Sequence, residues 1–252
     1  MKILNMIGVY EFKDCWTMCR RLIAELIGTF VLTTILISGI LELKDTVTFA
    51  LANGLILASV IAFTGHISGG HVNPAMTVGM LMCNFIKFIP AICYIIAQIM
   101  GALLGQLLAN SIKTRDIMRI SNNFKAESAF GLEVLATFLL VSVAASVSDP
   151  RRLPRGVGSA ALAIGLSVTA SLCAVTEYKC NMNPATALGI SVFLDSFENH
   201  WVVWLGPLVG GLLAGLIYRI ITTHKRIPRI QKLLIGFVHP IIIEKQGWVK
   251  RH

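Results

Sequence analysis

Six apolar stretches of this chain are long enough to cross a membrane, and two more stop at half that length. The long ones run near residues 22–41, 46–65, 88–110, 128–148, 156–176 and 201–222. Each approaches the roughly 20 helical residues that span about 30 Å of hydrocarbon. The short ones follow the second and fifth spans, and both open on Asn-Pro-Ala: HVNPAMTVG at 71–79 and NMNPATALG at 181–189. About ten helical residues rise only about 15 Å, half a bilayer. Such a piece either lies in a core or re-enters the membrane from the side it left.

Composition says which solvent the fold meets. The chain of 252 residues is 55% hydrophobic and 14% charged, with a mean hydropathy of +0.74. A soluble domain carries about a quarter charged residues. This is an integral membrane protein, all-α, with lipid as its solvent. The net charge of +9 does not point to nucleic acid, because it collects beside the spans: Lys13, Arg20 and Arg21; then Arg151, Arg152 and Arg155; then Arg219, Lys225, Arg226, Arg229 and Lys232. That is the distribution expected of cytoplasmic segments. An even number of spans puts both termini on that side. The expected layout is a cytoplasmic N-terminus (1–21), a membrane body (22–222) in two halves (22–110 and 128–222), and a basic cytoplasmic tail (223–252) that can lie on an anionic leaflet. The loop at 113–125 is basic yet falls outside, against the rule, whereas Glu177, Asp195 and Glu198 outweigh Lys179 around the second Asn-Pro-Ala.

Several chemistries drop out. The six cysteines lack metal-site spacing, and His66 and His71 stand five apart rather than at the four-residue spacing of a helical zinc pair. No nucleophile–base pairing or nucleotide loop is present, so neither an enzyme nor a bound cofactor or metal is expected. Cys15 and Cys19 lie just before the first span, where reversible palmitoylation is open to them. Residues 1–20 include Glu11 and Asp14 and hold no uninterrupted apolar core, so the first span serves as its own membrane signal.

The two halves resemble each other. AELIGTF (24–30) aligns with LEVLATF (132–138), which places Glu25 opposite Glu133, and the Asn-Pro-Ala copies match at nearly the same offset. Three spans separate equivalent points, so the second half inserts upside down relative to the first. Asn is a strong helix N-cap and Pro is favoured at the first helical position. Each motif therefore reads as a helix start. Inverted copies bring two half-helix N-termini together near the midplane, each with about half a positive charge. There the Asn73 and Asn183 amides are free to bond a passing neutral molecule while the dipoles repel cations.

These segments, with GHISGGHVNPAMTVG (65–79), SDPRR and GSAALAIGLSV (148–168), CNMNPATALG (180–189) and HWVVWLGPLVGG (200–211), resemble the aquaporin, or major intrinsic protein, family over about residues 20–222. The resemblance implies a right-handed bundle of six transmembrane helices plus two re-entrant half-helices in an inverted repeat. It also implies a homotetramer, one pore per subunit, in a plasma membrane. Asn73, Pro74, Ala75, Asn183, Pro184 and Ala185 would form the two motifs at the pore centre. The backbone carbonyls of Gly69, Gly70 and His71, and of Lys179, Cys180 and Asn181, would line the path, with Glu25 and Glu133 as buried partners of the re-entrant loops.

Counting from the motifs puts the family's four filter positions at Asn53, Ser171, Cys180 and Thr186. Water-selective members carry an aromatic, a His and an Arg at three of them; this chain has Asn53, Ser171 and Thr186. Glycerol-conducting members carry Asp after that Arg, where Ala187 stands here. A filter of small polar groups is wider, stays wet because Asn, Ser and Thr both donate and accept, and lacks a fixed positive charge. Lys179 nearby either replaces some of that charge or points to solvent. The expected function is passive conduction of water and small neutral solutes. The alternatives are a glycerol, urea or ammonia facilitator with little water selectivity, a weakly cation-leaky pore, a non-conducting membrane organiser, and an ion-coupled transporter. Against the last stands the lack of a buried carboxylate cluster beyond Glu25 and Glu133.

Overall fold

The computed structural model describes residues 7–39, 41, 43–112, 125–149, 159–175, 178 and 180–222. Among them the chain forms a 3-10 helix, Val9–Lys13, and then α1 (Cys15–Ser38), α2 (Thr46–Ser68), α3 (Pro74–Met82), α4 (Phe88–Ile112), α5 (Ala126–Ser148), α6 (Ser159–Ala174), α7 (Pro184–Leu194) and α8 (Val202–Thr222). The chain divides into two compact units, Met1–Arg219 and Ile220–His252. Of the second, only Ile220–Thr222 is described.

Five helices, α1, α2, α4, α5 and α8, are long and apolar enough to cross a membrane. The sixth predicted span, 156–176, corresponds to α6, whose 16 residues rise about 24 Å. Residues 150–158 before it lie outside the described residues. Helix α1 starts earlier than the apolar run predicts, because its beginning is set by a cap rather than by hydropathy. Asp14 accepts from the Thr17 N–H at 3.1 Å and from its hydroxyl at 2.6 Å. Those bonds, the hydroxyl's first, hold the Asp14 carboxyl below the usual carboxylate range. Asp45 caps α2 through Thr48 in the same way, at 2.7 and 2.6 Å. The first turns of α1 carry Arg20 and Arg21, with Arg21 paired to Glu11 at 3.2 Å.

Packing is the reverse of a water-soluble bundle. On α4 the large residues Ile92, Ile96, Met100, Leu104 and Leu107 are exposed, whereas Ala97, Gln98, Gly101, Ala102, Gly105 and Gln106 are buried. Small residues between helices let backbones approach closely where lipid supplies no hydrophobic drive to associate. Helices α2 and α6 cross at Gly54 and Gly165, where a Cβ on either glycine would run into the other's carbonyl oxygen. Two residues that block each other identically sit on either side of a local two-fold. The remaining pairs repeat the relation. A Cβ on Gly101 of α4 would strike Leu26 O and approach Phe30 N of α1, and one on Gly210 of α8 would strike Val134 O and approach Phe138 N of α5. Leu26 and Phe30 hold the places in AELIGTF that Val134 and Phe138 hold in LEVLATF. The sequence repeat is thus also a repeat of contacts.

The half-helices rest on the same scaffold. A Cβ on Gly211 of α8 would strike Ala75 O of α3, and one on Gly189 of α7 would lie 3.0 Å from Ala102 O of α4. Substituting Gly165 by Ala is expected to lower stability by about 1–3 kcal/mol, the usual range for overpacking. A thermal melt in detergent reads this as a lower midpoint; an unchanged midpoint would mean that the α2–α6 crossing yields easily.

Candidate functional site

Both half-helices begin on their Asn. Asn73 Oδ1 accepts from the Ala75 N–H at 2.8 Å and the Met76 N–H at 3.4 Å, and Asn183 Oδ1 accepts from the Ala185 N–H at 3.1 Å. Pro74 and Pro184 occupy the first helical turn, where no N–H is needed. Ala75 and Ala185 are wholly enclosed.

The amides then cross. Asn73 Nδ2 donates to Met182 O at 2.8 Å, and Asn183 Nδ2 donates to Val72 O at 2.9 Å. Each Asn therefore commits its oxygen to its own helix and one N–H to the opposite loop. One N–H per amide remains, rather than the two that the sequence reading left free.

Val72 and Met182 make the exchange possible. Both lie in the left-handed region, with φ of 43° and 57°, uncommon for any residue but Gly and an outlier for a β-branched one. Such a conformation costs about 1–3 kcal/mol and persists only where its surroundings over-determine it. Here they do. The Val72 N–H donates to Glu25 Oε2 at 2.6 Å and the Met182 N–H to Glu133 Oε2 at 2.9 Å, while each carbonyl takes the opposite Asn amide.

Glu25 and Glu133 are fully buried. Glu25 also accepts from the Ser68 hydroxyl, the His71 N–H at 3.0 Å and Gln98 Nε2 at 2.8 Å. Glu133 accepts from the Asn181 N–H at 2.8 Å and the Tyr178 hydroxyl at 3.1 Å. Thr77 Oγ1 donates to Asn73 O at 3.0 Å and accepts from Gln98 Nε2 at 2.9 Å. His71 Nδ1 lies 3.1 Å from the same hydroxyl.

Along both loops the backbone is open. Among the described residues no donor reaches the carbonyls of Gly69, Gly70, His71, Cys180 or Asn181. Buried backbone groups are nearly always paired, with water if not with protein. Non-helical backbone at membrane depth is tolerated where it is buried in protein or lines a water-filled cavity.

The four positions that counting from the motifs gave for a filter lie as follows. Asn53 is half-buried on α2 beside the Gly54 crossing, with Nδ2 donating to Phe49 O at 2.8 Å. Ser171 is buried on α6 and donates to Ser167 O at 2.9 Å. Cys180 is a buried free thiol. Thr186, in the first turn of α7, is the most enclosed at 1% exposure; its hydroxyl lies 2.7 Å from Asn181 Oδ1 and 3.1 Å from Asn183 O. Hydrogen bonds thus join Thr186 to Asn181 and Asn183, but among the described residues none joins it to Asn53 or Ser171. Lys179 and Glu177 lie outside the described residues, as do Arg151, Arg152, Arg155, the loop at 113–124 and the tail at 223–252. Sequence reasoning passed over Gln98 and Tyr178. Gln98, polar inside an apolar span, carried the signal that finds such residues.

Residues 12–218 match the family described as Major intrinsic protein. The chain belongs to that family. Among its relatives, Aquaporin-1 of Homo sapiens is 37% identical over 234 residues, 84% of each chain. Aquaporin-1 of Rattus norvegicus is 40% identical over 185 residues, 69% of this chain and 67% of that one. The X-ray structure of the aquaglyceroporin from Plasmodium falciparum superposes with a TM-score of 0.69 over 81% of this chain and 95% of that one. At 21% identity this likeness speaks to the fold alone. The family member described here is a passive membrane channel, not an enzyme.

Proposed function

We propose that this channel conducts water and small neutral solutes down their gradients along the two Asn-Pro-Ala loops, and that Asn53, Ser171, Cys180 and Thr186 form its filter. The observation that supports this most is the pair of crossed amides, Asn73 to Met182 O and Asn183 to Val72 O. They hold two half-helix N-termini against each other beside two runs of carbonyls that no donor reaches among the described residues. A molecule moving past would exchange its water partners for fixed donors and acceptors. A cation would meet two positive helix ends. The relatives named Aquaporin-1 favour water conduction.

A filter without Arg is wider than that of a water-selective relative. At about 6 Å and an effective dielectric near 20, a fixed charge would repel a monovalent cation by about 3 kcal/mol, so the helix dipoles carry the exclusion here. The working assembly is a homotetramer in the plasma membrane, as the family resemblance implies; both termini are cytoplasmic, in line with the basic residues at the N-terminus, in the 149–155 loop and in the tail.

The test is stopped-flow light scattering of proteoliposomes under sorbitol and then glycerol gradients, with Thr186→Arg beside the parent. The parent is expected to pass both water and glycerol. Thr186→Arg is expected to cut glycerol entry by about tenfold or more, as a guanidinium fills the opening. Fast water without glycerol in the parent would sink the widened filter, and no flux above empty liposomes would sink conduction itself.

A further inference from the structure

Counting from the motif, Thr186 stands where water-selective relatives carry Arg, and its side chain turns to Asn181. Its hydroxyl lies 2.7 Å from Asn181 Oδ1. That separation is usual for an O–H···O bond, with Thr186 donating and the Asn181 carbonyl oxygen accepting. The orientation of the Asn181 amide follows: its oxygen faces Thr186 and its NH2 group faces away. Asn181 is partly exposed, whereas Cys180, Met182 and Asn183 around it are buried. Among the described residues, nothing accepts from either hydrogen of Asn181 Nδ2.

This donor is held at two points. The main-chain N–H of Asn181 is bound to the buried Glu133 carboxyl at 2.8 Å, and the side-chain oxygen is bound to Thr186. A donor fixed in advance loses little freedom when it bonds a ligand. The groups at the other filter positions point the opposite way. Ser171 uses its hydrogen on Ser167 O, Thr186 shares its own between Asn181 Oδ1 and Asn183 O, and Asn53 uses one of two on Phe49 O. What they have left is chiefly oxygen lone pairs.

We propose that the side-chain amide of Asn181, braced by Thr186, is a specificity-determining group of this channel: a neutral, preorganised donor that selects small neutral solutes bearing a carbonyl, small amides such as urea foremost. The proposal rests on the conduction and filter reading above. An amide solute presents one strong acceptor and several N–H donors. The Asn181 NH2 meets the acceptor, and the lone pairs of Ser171 and Asn53 meet the donors. A guanidinium would also donate, but as a fixed charge it would fill the opening. The pair formed by Asn181 and Thr186 donates without charge and leaves the opening free.

The experiment measures urea, glycerol and water permeabilities of proteoliposomes holding the parent, Asn181→Leu or Thr186→Val, with incorporation of folded protein quantified for each. Asn181→Leu keeps the bulk and removes both donors. The urea-to-water permeability ratio is expected to fall about tenfold, the equivalent of one net hydrogen bond. Thr186→Val keeps the donors and releases the brace, and a fall of about threefold is expected. A parent that conducts while both variants keep its ratio would overturn this inference and leave conduction standing. A parent that conducts nothing would overturn both. Should Asn181→Leu fail to fold, the Thr186→Val ratio decides alone: a fall supports the brace, and the parent value overturns it.

Discussion

Glu25→Leu is expected to yield no folded, monodisperse protein, because one carboxyl satisfies four donors at the root of the first loop. These are the Ser68 hydroxyl, the His71 and Val72 N–H groups and Gln98 Nε2. A buried donor left without a partner costs about 1–3 kcal/mol. Four such losses are comparable to a typical stability of about 5–15 kcal/mol. The damage would spread, because the left-handed turn at Val72 would lose one of the two bonds that hold it, and the Val72 carbonyl is what Asn183 bonds. Glu25→Gln separates shape from chemistry. It keeps the volume and one acceptor oxygen but sets an NH2 group against other donors, so a folded protein with a markedly lower melting point is expected. Gel filtration and thermal unfolding in detergent read both variants. A Glu25→Leu protein that melts like the parent would show that water can replace the carboxyl.

What the sequence made legible divides along the range of the interaction. Helix starts at Asn73 and Asn183 were readable because a cap is local: an Asn oxygen two residues from an N–H, and a Pro where no N–H is required. The pairing of Glu25 with Glu133 was readable because the repeat is written twice. The start of α1 at Cys15 was not foreseen, since Asp14 and Thr17 cap the helix before the apolar run begins. The crossed amides were also out of reach. Nothing in either Asn-Pro-Ala says that its side chain reaches the other loop, and Val72 and Met182 are residue types that give no warning of a positive φ. The Gly54–Gly165 crossing escaped for a related reason. Its two glycines lie one on each helix, so no GxxxG appears on either. Asn181 was read only as backbone, because nothing in the sequence says that the Thr186 hydroxyl turns toward its side chain.

Asn183→Asp is expected to turn a cation-excluding path into a cation-conducting one. The substitution preserves size and leaves Oδ1 able to cap α7. The atom that changes is the one 2.9 Å from Val72 O. There a donor becomes an anionic oxygen facing a carbonyl, so the bond between the loops becomes a repulsion. The electrostatic change is larger still. Two half-helix ends carry about half a positive charge each, and one carboxylate cancels their sum. At about 6 Å and an effective dielectric near 20, the new charge attracts a monovalent cation by about 3 kcal/mol, roughly a hundredfold in occupancy. Asn183→Leu is the control, since it also loses the cross-bond but adds no charge; slower water flux without cation current is expected of it. Potassium current across planar bilayers, read beside water flux in vesicles, separates the two. Cation current in the Asp variant alone assigns exclusion to the balance of charge at the helix ends, whereas current in both assigns it to the closeness of the loops. An Asp variant that stays tight would mean that the barrier lies elsewhere along the path, with the four positions proposed as the filter as the first place to look.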